Sequence, residues 1–406
     1  MLPSFADRIP PWPLHDEADE AVLLETLRSH RWWRGNGARG DAFGAEFADY
    51  LGIAHVRLVA NGTLALELAL TALGIGAGDE VIVPACTFIA TASAVLRIGA
   101  IPVLVDVEAD TLNIDVGAVE AATGPRTRCI IPVHMAGQAA EMPALLALAQ
   151  RHGLVVLEDA AHAHGARAFG AMLGTLGDAS IFSFQSGKLM TAGEGGAVAT
   201  NRPDVAAQTF ALHSCGRPQG DTAYQHLMPA TNMRMSEFQS ALLSGQLRRL
   251  NGQLATREAA APVFETALRS AGLSPLVTRA HIERHSRYMV MAWFDPAEFG
   301  GRDASALSAE LRGAGIPAYR GFPPVHRTGM FTGPEAARLL HGRGAPDYAR
   351  LDTPVAEAAG SRVIWFHHAL LLGDEQLLHD VAAAVASLRT PREMVRGTDF
   401  ELARSA

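Results

Sequence analysis

Lysine is almost missing from this chain: of its 34 lysine and arginine residues only Lys188 is lysine, and all the others are arginine. Guanidinium groups can serve salt bridges and phosphate contacts, but they stay protonated and cannot add to an aldehyde, whereas a desolvated lysine amine can. Lys188 is therefore either a survivor of biased composition or a residue kept for amine chemistry. Its setting, Ser183-Phe184-Gln185-Ser186-Gly187-Lys188-Leu189-Met190-Thr191-Ala192-Gly193-Glu194-Gly195-Gly196, is an apolar, glycine-punctuated turn rather than a charged helix face, which favours the second reading.

Cysteine is also scarce. Cys86, Cys129 and Cys215 are far apart and odd in number, which excludes a disulfide framework and suits reduced, buried thiols. There is no basic block, and the formal charge of −8 argues against a nucleic-acid surface. The longest apolar stretches are interrupted by Arg97 or Pro102 and fall short of a membrane span. Asp7, Asp16, Glu17 and Asp19 lie among prolines near the N-terminus and leave no signal-peptide core. These absences lead us to expect a cytoplasmic protein that handles a small molecule. Neither an internal repeat nor a low-complexity tract is visible.

What is present reads as a globular chain, 49% hydrophobic and 19% charged, whose 406 residues suit a large domain and a smaller one. We expect an arm over 1–19, a large domain over 20–250, a small domain over 251–390 and a tail over 391–406. Pro10, Pro11 and Pro13 keep the arm extended, a helix follows over 20–29, and Trp32 and Trp33 lead into a glycine-rich loop, either as core filler or as pocket wall. Strands are predicted over 55–60, 80–84, 101–107, 128–133, 154–158, 179–184 and 197–200, with helices over 63–73, 88–98, 142–151 and 204–213 and a short one after Asp115. This alternation specifies an α/β fold with a mainly parallel sheet between helices. Beyond a long Gly/Pro loop over 214–231, a helix runs from Ser236 into the 260s. A smaller α+β domain follows, with strands over 287–294 and 317–320 and helices over 304–313 and 375–388.

Ligands of such sheets bind beyond the carboxyl ends of the strands. Asn61-Gly62-Thr63, Asp159 and Lys188 each follow a predicted strand, so three different chemistries converge on one sheet edge. An amine, a carboxylate and a helix N-terminus together fit pyridoxal 5'-phosphate. Lys188 would take the aldehyde and Asp159 the ring nitrogen. Gly62 and Thr63 would hold the phosphate with backbone N–H groups, and Thr63 and Ser183 with hydroxyls. Phe88 would stack on the ring. Individually, Asp159 could be a helix cap, Gly62-Thr63 an ordinary turn and Phe88 plain core. A competing reading is a metal site built on His162-Ala163-His164 beside Asp159, with His326, His367 and His368 in reserve; alternate residues diverge unless the segment is a strand, and this reading ranks behind the first.

The segments Asn61-Gly62-Thr63, Gly78-Asp79-Glu80-Val81-Ile82-Val83-Pro84, Glu158-Asp159-Ala160-Ala161-His162, Thr191-Ala192-Gly193-Glu194-Gly195-Gly196 and Asn232-Met233-Arg234-Met235 resemble the DegT/StrS-type sugar and cyclitol aminotransferases. The resemblance spans about 20–388. It implies a fold-type I pyridoxal-phosphate enzyme working as a homodimer with shared active sites, with a cyclic ketone as acceptor and glutamine or glutamate as donor. It implies that His162 lies at the cofactor ring and that Asn232 reaches the neighbouring subunit's phosphate. Trp32-Trp33-Arg34, Pro132-Val133-His134-Met135-Ala136-Gly137 and His213-Ser214-Cys215-Gly216-Arg217-Pro218 most resemble the 3-amino-5-hydroxybenzoate synthases, which aromatise an aminated cyclic acid by dehydration and can also act as keto-sugar transaminases. Gly321-Phe322-Pro323-Pro324 and 351–362 depart from that pattern. Arg217 is the candidate for a substrate carboxylate, or else pairs with a local acid; Trp33 and His213 are further substrate candidates. Alternatives are a neutral sugar or aminocyclitol aminotransferase without dehydratase activity, and a non-catalytic accessory or sensor protein that keeps the cofactor.

Overall fold

The computed structural model describes residues 2–340 and 342–390; the tail expected over 391–406 lies outside the described residues. Helix α1 (Glu17–Arg28) starts three residues earlier than predicted, because Asp16 accepts from the Asp19 N–H and Asp19 accepts from that of Asp16, a reciprocal cap. Where a glycine-rich loop was expected there is a second helix, α2 (Arg39–Leu51). Its N-cap, Ala38, makes no side-chain bond. The cap comes instead from Glu237, whose carboxylate accepts the N–H groups of Arg39 (2.7 Å) and Gly40 (3.2 Å) from 198 and 197 residues away.

The alternating pattern then follows: β1 (His55–Val59), α3 (Gly62–Ala72), β2 (Glu80–Pro84), α4 (Ala90–Arg97), β3 (Ile101–Val105), α5 (Val116–Ala122), β4 (Thr127–Ile130), α6 (Met142–His152) and β5 (Val155–Asp159). The strand expected over 128–133 stops at Ile130, since Pro132 has no N–H for the ladder. Phe88 does not open a helix as expected; α4 begins two residues later. Two short strands, β6 (Arg167–Ala168) and β7 (Ala171–Met172), precede β8 (Ala179–Ser183), β9 (Gly196–Thr200) and α7 (Pro203–His213).

These segments form a seven-stranded sheet in the order β1-β9-β8-β5-β4-β2-β3. From β8 to β3 every pairing is parallel, and β9 alone runs against both of its neighbours. The carboxyl ends of β1, β2, β5 and β8 therefore share one edge, which brings Asn61, Phe88, Asp159 and Ser183 together there. Burial supports the layering: β8 is buried along its whole length, with helices covering the sheet.

Helix α8 (Glu237–Ser270) has a Ser236/Gln239 capping box and runs unbroken through the division expected at 250/251, so one helix serves both cores. Its distal half buries Phe264 and Leu268 against a second sheet. That sheet has the order β10 (Ser274–Pro275), β12 (Met289–Trp293), β14 (Val363–His367), β13 (Ala318–Arg320). Its central strand β14, Val-Ile-Trp-Phe-His, was not predicted, although the β-branched and aromatic run carries the signal. Strand β11 (Ile282–Arg284) reaches back to β6 and ties the second half of the chain to the first. Helix α9 (Ala304–Gly313) was predicted; α10 (Gly329–Thr332), α11 (Pro334–Leu340) and α12 (Pro354–Arg362) were not, and α13 (Glu375–Ser387) closes the described chain.

Candidate active site

A cleft of about 820 Å³ opens at the shared sheet edge, and its walls include Asn61, Gly62, Thr63, Asp159, His162 and Lys188. Helix α3 begins there. Asn61 caps it by accepting the Leu64 N–H at 2.9 Å, and the Ala65 N–H goes to the Asn61 carbonyl. The first turn of a helix leaves its remaining N–H groups without intrahelical acceptors, so those of Gly62 and Thr63 are available to an anion. The cradle is close-packed. A Cβ on Gly62 would lie 2.8 Å from the Ser183 Cβ, and one on Gly196 would lie 2.5 Å from the Asn61 carbonyl.

Asp159 ends β5 and is 6% exposed. Its carboxylate accepts from the Thr91 hydroxyl at 2.9 Å and from the Ala161 N–H at 3.2 Å, and Thr87 lies 3.2 Å behind Thr91. Burial raises its pKa, against the lowering pull of these two donors and of the Lys188 charge. A cation placed at this carboxylate would favour its ionised form. The neighbouring Glu158 has a different role: fully buried, it accepts the N–H groups of Gly174, Leu176 and Gly177 and meets His134 Nε2 at 2.9 Å, which orders the turn leading into β8.

Lys188 lies in a loop closed by its own backbone: Lys188 N–H to Gln185 O and Ser186 N–H to Gly193 O, both 2.8 Å. Its Nζ lies 4.4 Å from the ring centroid of Tyr288. Tyr288 in turn stacks on His162 with centroids 4.3 Å apart. His162 is buried, its Nδ1 has no partner among the described residues, and burial followed by the Lys188 charge pushes its pKa well down, so the ring is neutral. His164 turns the other way, toward Phe182 and Phe184, and so leaves His162 without the neighbour that a metal site needs. Among the described residues no group of three His, Cys, Asp or Glu could hold a metal ion.

Phe88, Phe322 and Trp365 complete the aromatic wall, with Phe88 55% exposed at the rim. Tyr288, Thr91, Phe322 and Trp365 were not anticipated. Tyr288 was read as part of a strand over 287–294, but β12 begins at Met289. Its N–H bonds to Ala136 O at 3.1 Å, which docks this segment on the large sheet. Gly137, at φ +96, permits the approach, since a Cβ there would collide with Ser286.

The structure does not bring Trp33, His213, Arg217 or Asn232 into this cleft. Arg217 takes the local-acid option: its Nε lies 3.0 Å from Asp221 and its guanidinium covers the Tyr224 ring. The other three gather around Arg234, which lies 5.9 Å from the Trp33 ring, donates to Ser214 at 3.2 Å and gives its N–H to Asn232 at 3.1 Å. His213 is buried beside them, and burial together with Arg57, Arg34 and Arg234 pushes its pKa down to about 3. Trp33 and Asn232 are exposed, so within one chain these residues form a second, cationic and aromatic cluster.

The model of the DegT/DnrJ/EryC1/StrS aminotransferase family matches residues 13–386. The chain is 42% identical to a 3-amino-5-hydroxybenzoate synthase of Amycolatopsis mediterranei, over 94% of this chain and 97% of that one. It is 39% identical to an L-glutamine:2-deoxy-scyllo-inosose aminotransferase of Streptoalloteichus tenebrarius, over 94% and 95%. The crystal structure of 3-amino-5-hydroxybenzoic acid synthase superposes with a TM-score of 0.87 at 41% identity, covering 94% of this chain and 99% of that one. An aminotransferase from Psychrobacter cryohalolentis does so with 0.83 at 30% identity, covering 93% and 98%. The chain belongs to the DegT/DnrJ/EryC1/StrS aminotransferase family.

Proposed function

We propose that this aminotransferase carries pyridoxal 5'-phosphate on Lys188 and transfers the amino group of glutamine or glutamate to a cyclic ketone in secondary metabolism, as a cytoplasmic homodimer. The observation that carries the reading is the convergence of the chain's one lysine, a buried carboxylate and the N-terminus of α3 on a single cleft. Bound there, the cofactor supplies an aldehyde and a ring that accepts the electrons of a carbanion. Lys188 is the residue that would hold it, and its amine would carry the proton to and from the substrate Cα. Asp159, oriented by Thr91 and the Ala161 N–H, keeps the ring nitrogen protonated. The N–H groups of Gly62 and Thr63 and the hydroxyls of Thr63 and Ser183 bind the phosphate. Neutral His162, backed by Tyr288, would flank the ring, with Phe88, Phe322 and Trp365 as the aromatic wall of the cleft.

For the acceptor, the relatives named for a hydroxybenzoate synthase and a scyllo-inosose aminotransferase support a ring ketone: a keto-cyclitol, a keto-sugar or an aminodehydroshikimate-type acid. Within the cleft of one chain, one observation favours the neutral members. The cations among the described residues of the cleft are Lys188 and Arg97, and Arg97 already pairs with Glu67 at 3.0 Å. The second cluster around Arg234 supports a shared site, because Asn232 and Trp33 face outward, where a second copy can take them up.

The test is borohydride reduction followed by peptide mapping, then turnover with a panel of cyclic ketones. We expect the label on the Lys188 peptide, none in Lys188→Ala, and faster turnover of neutral keto-cyclitols than of a carboxylated cyclohexenone. A label elsewhere would overturn the assignment, and exclusive use of the carboxylated acceptor would overturn the preference for a neutral ring.

A further inference from the structure

Two consecutive carbonyls immediately before Lys188 are held by side chains from outside the large sheet. Trp12 Nε1, from the N-terminal arm, donates to Ser186 O at 3.0 Å. His368, in the short 3-10 turn after β14, places Nε2 3.1 Å from Gly187 O. The two rings meet edge-on with centroids 4.5 Å apart. Behind them, in the middle of α8, lies Arg257, which is 0% exposed. Its Nη2 is 3.1 Å from His368 Nδ1, and its guanidinium lies 5.2 Å from the Trp12 ring centroid.

The chemistry of the chain has a direction. A guanidinium only donates, so it makes His368 Nδ1 the acceptor. The ring proton then sits on Nε2 and points at Gly187 O. His368 stays neutral because burial comes on top of the positive charges of Arg257 and Lys188. Arg257 is an expensive way to obtain this. Among the described residues its Nε and Nη1 have no partner and no carboxylate meets it. An unpaired buried cation destabilises a fold, and one recognised use of such a group is to select a single conformation.

We infer that Trp12, His368 and Arg257 are positioning residues that clamp the 186–187 backbone and thereby aim Lys188 at the cleft. The clamp joins the arm, α8 and the turn after β14, so it ties the reactive amine to three parts of the fold. The inference rests on the proposal that Lys188 bears the cofactor.

The experiment compares wild type with His368→Leu, His368→Gln, Arg257→Met, Arg257→Lys and Trp12→Phe. It follows the rate at which cofactor-free protein captures added pyridoxal phosphate covalently, read from the visible band and borohydride labelling. It also follows kcat, KM and the thermal midpoint of the cofactor-free protein. We expect His368→Leu and Arg257→Met to slow capture and kcat by about tenfold with KM held. His368→Gln, which keeps an N–H for Gly187 O, and Arg257→Lys, which keeps a donor for His368, should recover most of the loss. Trp12→Phe removes the bond to Ser186 O while keeping an aromatic ring beside His368 and Arg257; it should also slow capture, and it carries the test where either larger change prevents folding. Capture and kcat at wild-type rates in His368→Leu or Trp12→Phe, whatever the thermal midpoint does, would overturn the clamp. Wild type that takes no label at Lys188 would overturn the parent reading, whereas a labelled wild type with unaltered variants would sink the clamp alone.

Discussion

At the scale of single residues, two adjacent carboxylates on β5 show how environment assigns roles. Glu158 is saturated by three backbone N–H groups and His134, and so belongs to the framework. Asp159 is held by two donors and has its pKa raised by burial, and so is left wanting a cation. Asp159→Asn should still bind pyridoxal phosphate, because the helix N-terminus and Lys188 remain, yet turnover should fall by roughly a hundredfold or more. Matched measurements of cofactor affinity and kcat check this, and a variant as fast as wild type would mean that the ring nitrogen lies elsewhere. The place of Asp159 at the cleft was legible from its position after a predicted strand. The part played by Thr91 was not, because a threonine inside a helical run carries no mark until the fold sets it 2.9 Å from the carboxylate.

Among the elements, α2 is the informative case. Sequence reading makes it a loop because Gly35, Gly37 and Ala38 precede it and no local side chain caps it. The structure supplies the cap from Glu237 in the first turn of α8, with its side chain buried. Glu237→Ala would strand two N–H groups at a buried helix end and should cost about 2 kcal/mol of stability. Chemical denaturation of the full chain measures this, and a loss well under 1 kcal/mol would mean that water replaces the carboxylate. By contrast, α1, α3 and α8 were readable because Asp16, Asn61 and Ser236 cap from within the segment, although α1 was placed three residues late. Strand β14 was missed for a different reason. It is central in its sheet, and a short continuous apolar run reads equally as buried helix.

Taken as a whole, the molecule buries many neutral histidines. Burial, reinforced for His164 by Lys188 and for His213 by Arg57, pushes both pKa values from 6.5 down to about 3, and burial pushes His367 down to about 4. In the unfolded chain these groups take up protons below about 6.5 while the folded chain excludes them, so stability is fully present above that pH. It should be lost as pH falls from about 6.5 through about 4 toward about 3. Thermal midpoints measured across that window should drop continuously, and a flat profile would show that other groups compensate. At the same scale, the separation of the Lys188 cleft from the cluster of Trp33, His213 and Asn232 predicts complementation. Lys188→Ala and Asn232→Ala chains, each weak alone, should regain activity when mixed under exchange conditions, with one intact site per hybrid dimer. Absence of recovery after verified exchange would place each site within a single chain.

By itself the sequence determined the candidate chemistry and the sheet edge where its residues gather: a solitary lysine, caps adjacent to their helices and apolar runs of strand length are local signals that any tertiary arrangement must respect. Tertiary structure decided which distant segments meet that chemistry. Tyr288 reaches Lys188 only because its segment docks on the 136–137 turn. Trp12, His368 and Arg257 reach the 186–187 carbonyls only because the arm, α8 and the turn after β14 pack together there. Arg217 was drawn to Asp221 and away from the cleft by a contact four residues along its own loop. Such contacts depend on where chain crossings place two side chains in space, and neither hydrophobic period nor capping pattern encodes that distance.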